Sequence, residues 1–441
     1  SAIAKDLAEN RGKCLVAVGS GQPPFLHMIA AMMNEILDGS GKTVHYRIDS
    51  YIQRPSHIDA ITALTKRMET GEVDTLFILG GNPVFDAPAD LKFDELLRKV
   101  PHSLHLSLHR NETSLASTWY IPRSHYLESW GDSRAYDGLI TPIQPLIEPL
   151  YGGKSPIETI AILTGDTLTR GYELVRRALQ KTFNTASIDA SQQYWLNNGF
   201  IENTQYDGFS PWFLNMDIQK AFDKQSVEIP QVDSQHLEIT FHPDTTLYDG
   251  RFANNGWLQE TPDFLTKLTW DNAALISPET ARTLNIEHGE ILRLQYKGRS
   301  LEIVANVMPG QASHSIALAI GYGRTAAGRV GNGVGFNTNS LRITEAFHFN
   351  TGLSIEKTGQ KYAMAITQDH FAIDTVGMEE RAHRIPELIH EATLEAFLAD
   401  PDHFKHTSHT PEIALWKEFD YDKNRWGMAI DLNACMGCNA C

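Results

Sequence analysis

The chain has 441 residues, 42% of them hydrophobic and 21% charged, so it has enough apolar material for a packed core and is long enough for more than one domain. Acidic residues outnumber basic ones by 54 to 38, which gives a formal net charge of −16. This excess argues against a nucleic-acid surface, which needs clustered Lys and Arg, and against a surface that binds anionic membranes.

The first third of the chain alternates short apolar runs with amphipathic segments. Short continuous apolar runs are typical of strands buried on both faces, and they predict strands at 13–20, 42–48, 74–83 and 103–109. Helical periodicity predicts helices at 21–37, 56–73 and 93–100. Cys14, inside the first run, is expected to be a small buried hydrophobe. Strand–helix alternation predicts an α/β fold with an open, mostly parallel sheet and helices on both faces.

The later segments differ in texture from the first third. Residues 119–160 are rich in Pro and Gly and are predicted to be loops, whereas 167–183 is a predicted helix and 187–231 a mixture of helix and loop. Residues 237–366 contain short β runs around turns such as Lys297-Gly298, which together predict a compact β-barrel. Residues 369–421 are polar and predict an extended arm with one helix at 386–398.

The glycines after the first predicted strand raise the question of a dinucleotide site. Gly19 and Gly21 fit the glycine-rich turn of a dinucleotide-binding domain, but Pro24 replaces the third glycine, which normally allows close helix–strand packing. A simple tight turn is therefore favoured over a nicotinamide or flavin site.

A second glycine-containing turn follows the third predicted strand. Gly80, Gly81 and Asn82 lie where that strand ends, and open α/β sheets bind ligands at this edge. Gly and Asn are also common in loops after strands because they suit the backbone conformations of turns. The pattern therefore leaves both a ligand site and a simple turn open.

The cysteines at the end of the sequence give the most specific signal. Cys435, Cys438 and Cys441 have the C-x-x-C-x-x-C spacing of a ferredoxin-type iron–sulfur motif, which also needs a fourth ligand. Half a zinc site is the competing interpretation, and the third cysteine favours iron–sulfur. His105 and His109 alternate onto one face of a predicted strand, but solvated sheet-edge histidines are the favoured interpretation there.

Several segments together resemble the molybdopterin oxidoreductase (DMSO reductase) superfamily. LFILGGNPVFDAP and STWYIPRSHYLESWGD, with Glu128 and Gly131, are similar to its nucleotide-binding core. ISPETARTLNIEHGEILRL and GNGVGFNTNSLR resemble its C-terminal double-psi-type β-barrel. NNGWLQETPDFLTKLTWDNAA and RWGMAIDLNACMGCNAC resemble one branch, the fused molybdopterin-oxidoreductase-like and iron–sulfur subunit of bacterial alternative complex III. The resemblance covers essentially the whole chain.

The resemblance implies a non-catalytic scaffold in an iron–sulfur electron-transfer subunit of a respiratory quinol-oxidising complex. It implies that the intact protein holds a 4Fe-4S cluster and lacks molybdopterin. Gly80, Gly81 and Asn82 would then be a vestigial edge of a pterin-nucleotide site. The implied partners are membrane and cytochrome subunits at the periplasmic face of the inner membrane. The chain itself is expected to be a fragment that ends inside the first ferredoxin motif, with no cofactor bound, no catalytic residue and no membrane span, since no apolar run reaches 18 residues.

Departures from the family pattern leave an enzyme as the alternative. RAYDGLI follows the E-x-x-G element, where relatives have roughly N-x-E-G-R, and the chain starts downstream of any molybdenum ligand. The alternative is a fragment of a catalytic molybdenum bis-pterin oxidoreductase of the polysulfide-reductase kind.

The predicted domain organisation has five segments. They are a Rossmann-like α/β domain at 1–165, a mixed helical and loop continuation at 166–236, the β-barrel at 237–368, a linker arm at 369–434 and the start of a ferredoxin domain at 435–441.

Overall fold

The computed structural model describes residues 2–48, 53–183, 188–208 and 232–367, together with residues 378, 381–385, 392–402 and 420 and short stretches from 422 to 441. The chain divides into two compact units, Ser1–Gln368 and Asp369–Cys441. The first unit contains a parallel sheet and a closed β-barrel, as the sequence predicts. The five-segment domain organisation stays a prediction.

Six of the described helices belong to the α/β part. They are α1 (Ala2–Glu9), α2 (Pro24–Ile36), α3 (His57–Glu69), α4 (Pro83–Asp86), α5 (Phe93–Leu97) and α6 (Glu112–Ala116). Side-chain caps explain where two of them begin. The Ser56 side chain accepts a hydrogen bond from the Asp59 N–H at the start of α3, and the Asn111 side chain accepts one from the Ser114 N–H at the start of α6. Helices α2 and α3 lie within their predicted ranges.

Three parallel strands form the sheet. They pair in the order β1 (Thr75–Ile78), β2 (His102–Ser107) and β3 (Trp119–Pro122). One apolar cluster packs beside this sheet; its fully buried members are Met68, Phe93, Leu96, Leu97 and Val100. Burying each such side chain stabilises the fold by about 1.5–3 kcal/mol relative to leaving it exposed. The strands predicted at 74–83 and 103–109 are confirmed.

The strands predicted at 13–20 and 42–48 are wrong. Both segments lie among the described residues: 13–20 forms no strand or bridge, and 42–48 forms only isolated bridges, between Val44 and Ser40 and between Arg47 and Gly208. The reason at 13–20 is a side chain that takes the place of a neighbouring strand. The buried Asn34 of α2 accepts from the Val16 N–H and donates to the Val16 carbonyl, each at 2.8 Å.

Cys14 is half-buried within this irregular segment, which corrects the expectation of a fully buried thiol in a strand. Its Sγ lies 3.8 Å from the carbonyl of Leu7, and its own carbonyl accepts a hydrogen bond from Thr43 at 2.8 Å. The segment is therefore held by side chains of neighbouring elements.

The predicted loop at 119–160 contains more regular structure than expected. Besides β3, it holds an antiparallel pair, β4 (Gly131–Arg134) and β5 (Ile140–Ile143), and the start of α7 (Pro156–Leu163). Two further helices follow, α8 (Gly171–Phe183), where a helix is predicted, and α9 (Ile188–Asn198). Ile140, Val175, Leu179 and Ile201 form a separate small core here.

Six strands close into the barrel in the order β10-β6-β11-β8-β9-β7. Their bounds are β6 (Leu237–Pro243), β7 (Ala274–Ile276), β8 (Glu290–Tyr296), β9 (Arg299–Val307), β10 (Ser315–Ile320) and β11 (Phe349–Lys361). Short helices lie between them, namely α10 (Gly256–Glu260), α11 (Pro278–Thr283) and α12 (Gly328–Gly331). The barrel interior is the largest apolar cluster and includes Ile239, Leu292, Ile303 and Leu318. A double-psi topology stays a prediction.

Residues of the second unit are described only in part. Of the helix predicted at 386–398, residues 386–391 lie outside the described residues, and the described part contains α13 (Leu394–Ala399), which begins only after the N-cap Thr393. Across the described parts of both units, no helix combines the length and the apolar character that crossing a bilayer requires.

Candidate functional site

The carboxyl ends of the three parallel strands meet at one edge of the sheet, where ligands bind in many open α/β folds. Gly80 and Gly81 follow β1 with φ of 104° and 77°, a region that favours glycine. A Cβ at Gly80 would lie 2.9 Å from Nη1 of Arg123, so a larger residue would displace that guanidinium. Gly80 therefore allows close packing between the β1 and β3 ends, whereas Gly81 is favoured by its positive φ alone.

The amide of Asn82 is engaged by protein groups on both sides. Its Oδ1 accepts hydrogen bonds from the Thr113 backbone N–H at 3.1 Å and the Thr113 hydroxyl at 2.8 Å, and its Nδ2 donates to Glu112 at 2.8 Å. Asn82 is also buried. This side chain ties the β1 loop to α6.

The carbonyl of Gly81 is engaged as well. It accepts hydrogen bonds from His105 Nε2 at 3.2 Å and Asn111 Nδ2 at 3.3 Å. The other ring nitrogen of His105 lies 2.8 Å from the Ser114 hydroxyl. His105 is completely buried, and burial lowers the pKa of its imidazole, so the expectation of a solvated sheet-edge histidine is wrong for this residue.

Glu112 and Arg324 form a buried ion pair between α6 and the loop after β10 of the barrel. Their side chains are 9% and 6% exposed. Arg324 donates to Glu112 through Nε at 2.9 and 3.1 Å and through Nη2 at 2.7 Å, and the backbone N–H groups of Thr325 and Ala326 add bonds of 2.8 and 3.0 Å. Burial by itself would raise the pKa of Glu112, but the bonds and charge of Arg324 outweigh it and hold the pKa at about 2.

A second ionisable group lies close to this pair. Burial and the nearby Asp249 carboxylate raise the pKa of Asp86 to about 7, in spite of the opposing charges of Arg342 and Arg324. Burial also lowers the pKa of Arg342 to about 10. Asp86 ends α4, directly after the Asn82 loop, so a carboxyl that titrates near neutral pH lies beside the sheet edge.

Two polar groups after β3 have no partner among the described residues. They are the Nε atom of Arg123 and the hydroxyl of Ser124, both of which are buried. Buried polar atoms normally find a hydrogen-bond partner, so these two are the atoms of the sheet edge that could hold an anion. The E-x-x-G residue Glu128, in contrast, accepts from the His125 backbone N–H at 2.9 Å and stabilises a turn.

The predicted cysteine ligands lie in the second unit. Cys435 and Cys441 are exposed free thiols, whereas Cys438 lies outside the described residues. Within the described parts of the chain, no three His, Cys, Asp or Glu side chains converge as a metal site would require. The iron–sulfur assignment stays a prediction.

Sequence reasoning missed the Glu112–Arg324 pair. The two residues are separated by 212 positions, and neither lies in a motif with a known spacing. The only local signal was Asn111, a preferred N-cap residue, which predicts the start of α6 but not its partner.

Comparisons with known proteins give a partial structural overlap and no sequence match. No family model matches the chain, and no curated protein matches it. Among solved structures, acetylene hydratase from Pelobacter acetylenicus overlaps it with a TM-score of 0.45 and 14% identity, over 67% of this chain and 46% of that one. This chain thus spans less than half of that protein's length. An overlap at this TM-score and identity shows neither the family of this chain nor a role for any of its residues.

Most polar groups of the predicted pterin-nucleotide residues are bonded within the protein, and their assignment as a vestigial edge stays a prediction. Both polar atoms of the Asn82 amide and the carbonyl of Gly81 are bonded to protein groups, and Gly80 is covered by Arg123. Of the groups described at this edge, Arg123 and Ser124 alone retain unpaired buried atoms.

Proposed function

We propose that the first unit is a non-catalytic, molybdopterin-oxidoreductase-like scaffold within an iron–sulfur electron-transfer subunit of a respiratory quinol-oxidising complex. The observation that supports it is the closure of the sheet edge: Asn82, Glu112 and Arg324 satisfy one another. A site that binds and releases a ligand needs polar groups that are free to meet it. Here those groups join the α/β part to the barrel instead.

The electron-transfer part of the proposal rests on the cysteine spacing. Cys435, Cys438 and Cys441 would supply three thiolates of one 4Fe-4S cluster, and a fourth ligand would have to come from elsewhere. Exposed thiols such as those of Cys435 and Cys441 are accessible to an incoming cluster. The proposed partners are membrane and cytochrome subunits, at the periplasmic face of the inner membrane, as in the branch that the motifs resemble.

One observation favours the alternative, a catalytic molybdenum bis-pterin oxidoreductase. The unpaired Nε of Arg123 and hydroxyl of Ser124 lie where a strand ends, and a guanidinium with a hydroxyl suits a phosphate group. In that case these two residues would hold the phosphate part of the cofactor, which supplies the redox chemistry when bound.

The deciding experiment measures iron, molybdenum and released pterin in the full-length gene product, purified anaerobically from its source organism. Iron in multiples of a cluster, without molybdenum or pterin, is the expected result. Stoichiometric molybdenum with pterin would refute the scaffold proposal and favour the enzyme.

Matched variants test the cysteine assignment. Replacing Cys435, Cys438 and Cys441 with Ser is expected to remove the iron of one cluster, whereas Cys14→Ser is expected to leave the iron content unchanged. Unchanged iron in the triple variant would show that the cluster uses other ligands.

A further inference from the structure

A cavity of about 530 Å³ lies on the outer face of the barrel, and its lining includes none of the residues of the sheet edge. This volume is within the range of small-molecule sites in proteins. Its lining residues come from β6, β7 and β10 and from the segments that follow β6, precede β7, follow β9 and follow β10.

The strand register forms the floor of the cavity. Along β10 the core residues Ile316 and Leu318 alternate with Ala317 and Ala319, which therefore face outward. Ala317 is paired with Leu275 of β7, and Ala319 with His242 of β6. Two small alanines side by side on the outer surface leave a depression that larger residues would fill.

The walls of the cavity are mainly apolar. Phe264 and Leu265, in the loop before β7, form one lip and are 66% and 58% exposed. Met308 and Pro309, in the loop after β9, form the other. Exposed apolar side chains around a concave surface are typical of a ligand site, since a ligand can cover them.

The charge of the cavity has one sign. Asp244, Asp263 and Asp271 belong to the lining, and among its described residues none is Lys or Arg. Burial and the charges of all three carboxylates raise the pKa of the Tyr322 phenol, which also lines the cavity. The three negative charges are therefore close enough to affect the same side chain. The cavity therefore has a negative potential that an anionic ligand would meet with repulsion.

Asp271 is the innermost of these carboxylates, with 4% of its surface exposed. It accepts hydrogen bonds from the Asn272 backbone N–H at 3.0 Å and from the hydroxyl of Tyr362, both neutral groups. Burial raises the pKa of its carboxyl. A buried carboxylate bonded only by neutral donors gains most from a cation placed beside it.

We propose that this cavity binds a small organic cation, with an aromatic or aliphatic body between the Phe264 and Met308 lips and a protonated amine at Asp271. The proposal is independent of the function proposed for the sheet edge. Apolar burial would supply most of the affinity, and the carboxylates would select the charge.

The test uses three ligands of similar shape and different charge: tryptamine, neutral tryptophol and anionic indole-3-acetate. Their dissociation constants are measured on the full chain by ligand-observed NMR. Tryptamine is expected to bind about tenfold or more tightly than tryptophol, because a charged hydrogen bond is worth at least about a factor of ten. Indole-3-acetate is expected not to bind.

Two variants and a control locate the site. Asp271→Asn is expected to reduce tryptamine binding to the level of tryptophol, and Ala319→Leu, on the outer face of a strand, is expected to abolish binding of both. Asp132→Asn removes an equal charge at an exposed position of β4 and is expected to change nothing.

The proposal is overturned if tryptamine shows no binding at millimolar concentration or binds no better than indole-3-acetate. It is also overturned if tryptamine binding survives Ala319→Leu. Should Asp271→Asn fail to fold, as judged by circular dichroism, the Ala319→Leu variant and the ligand series decide the question without it.

Discussion

Replacing Glu112 with Gln removes the charge that faces Arg324 while it keeps the shape of the side chain. Both side chains are at least nine-tenths buried, so the variant leaves a guanidinium without its counter-charge in the interior. Breaking a buried pair in this way typically costs about 3–5 kcal/mol. The pKa gives a similar magnitude, because its fall from 4.5 to about 2 corresponds to roughly 3 kcal/mol at about 1.4 kcal/mol per pH unit.

Urea unfolding followed by tryptophan fluorescence measures this cost at pH 7 for the native chain, Glu112→Gln, Arg324→Met and the double variant. The double variant contains no unpaired charge, so it is expected to be less destabilised than the sum of the two single variants. The depressed pKa fixes the pH dependence: the stabilisation is present above pH 4.5 and is lost as the pH falls through about 2. The difference in the free energy of unfolding between the native chain and Glu112→Gln should therefore shrink as the pH is lowered.

An exposed pair on the barrel is the matched control. Arg293 and Glu302 lie 2.7 Å apart with side chains 39% and 49% exposed, and Glu302→Gln is expected to cost no more than about 1 kcal/mol. If Glu112→Gln costs as little as this control, or if the single effects simply add in the double variant, then the pair does not close the sheet edge.

Three further predictions concern other positions. Asp86→Asn is expected to gain stability over the native chain as the pH rises from 4 to 7, by up to about 4 kcal/mol. Over this range the carboxyl ionises in the unfolded native-sequence chain but stays protonated in the folded one, because its pKa is raised to about 7; the effect levels off above pH 7. Urea midpoints at pH 4 and pH 8 measure this, and an unchanged difference between the two chains would contradict it. Gly323→Ala is expected to unfold at a markedly lower urea concentration than Gly333→Ala. Both glycines have positive φ, but a Cβ at Gly323 would lie 2.3 Å from a backbone nitrogen, whereas a Cβ at Gly333 would meet nothing within 4 Å. Equal urea midpoints for the two variants would contradict this. Asn34→Leu is expected to speed hydrogen exchange at the Val16 amide by at least about tenfold, and unchanged exchange there would show that Asn34 does not hold the segment.

Features that depend on a few neighbouring residues were predictable from the sequence. Lys297 and Gly298 have φ of 47° and 76° and join β8 to β9 in a two-residue hairpin, as their order in the sequence indicates. The side chain of Ser277 accepts from the Thr280 N–H and begins α11, as serine commonly does at the N-cap position. In both cases the backbone conformation follows from the residue type at one or two positions.

Features that depend on distant partners were not predictable. The run at 13–20 is apolar enough for a strand, but whether it forms one depends on which group meets Val16, and that group is a side chain of α2. Conversely, β3 ends in Pro122 within a Pro-rich segment and still pairs with β2 along its length. The composition of a segment indicates its intrinsic tendency to form a strand. Whether it pairs with another strand depends on which groups of the folded protein lie beside it.

The glycine-rich end of β1 shows why a motif and a site are separate questions. The motif requires Gly80 and Gly81 because Arg123 packs over the first and the second has positive φ, and these are requirements of folding. Ligand binding would require free polar groups in addition, and those of Asn82 are bonded to Thr113 and Glu112. The same three residues would therefore remain necessary in a chain that had lost its cofactor, so their presence does not distinguish scaffold from enzyme. The unpaired atoms of Arg123 and Ser124 are where the two proposals differ: the enzyme would pair them with a phosphate, whereas in the scaffold they are two of eight buried polar atoms that lack a partner among the described residues.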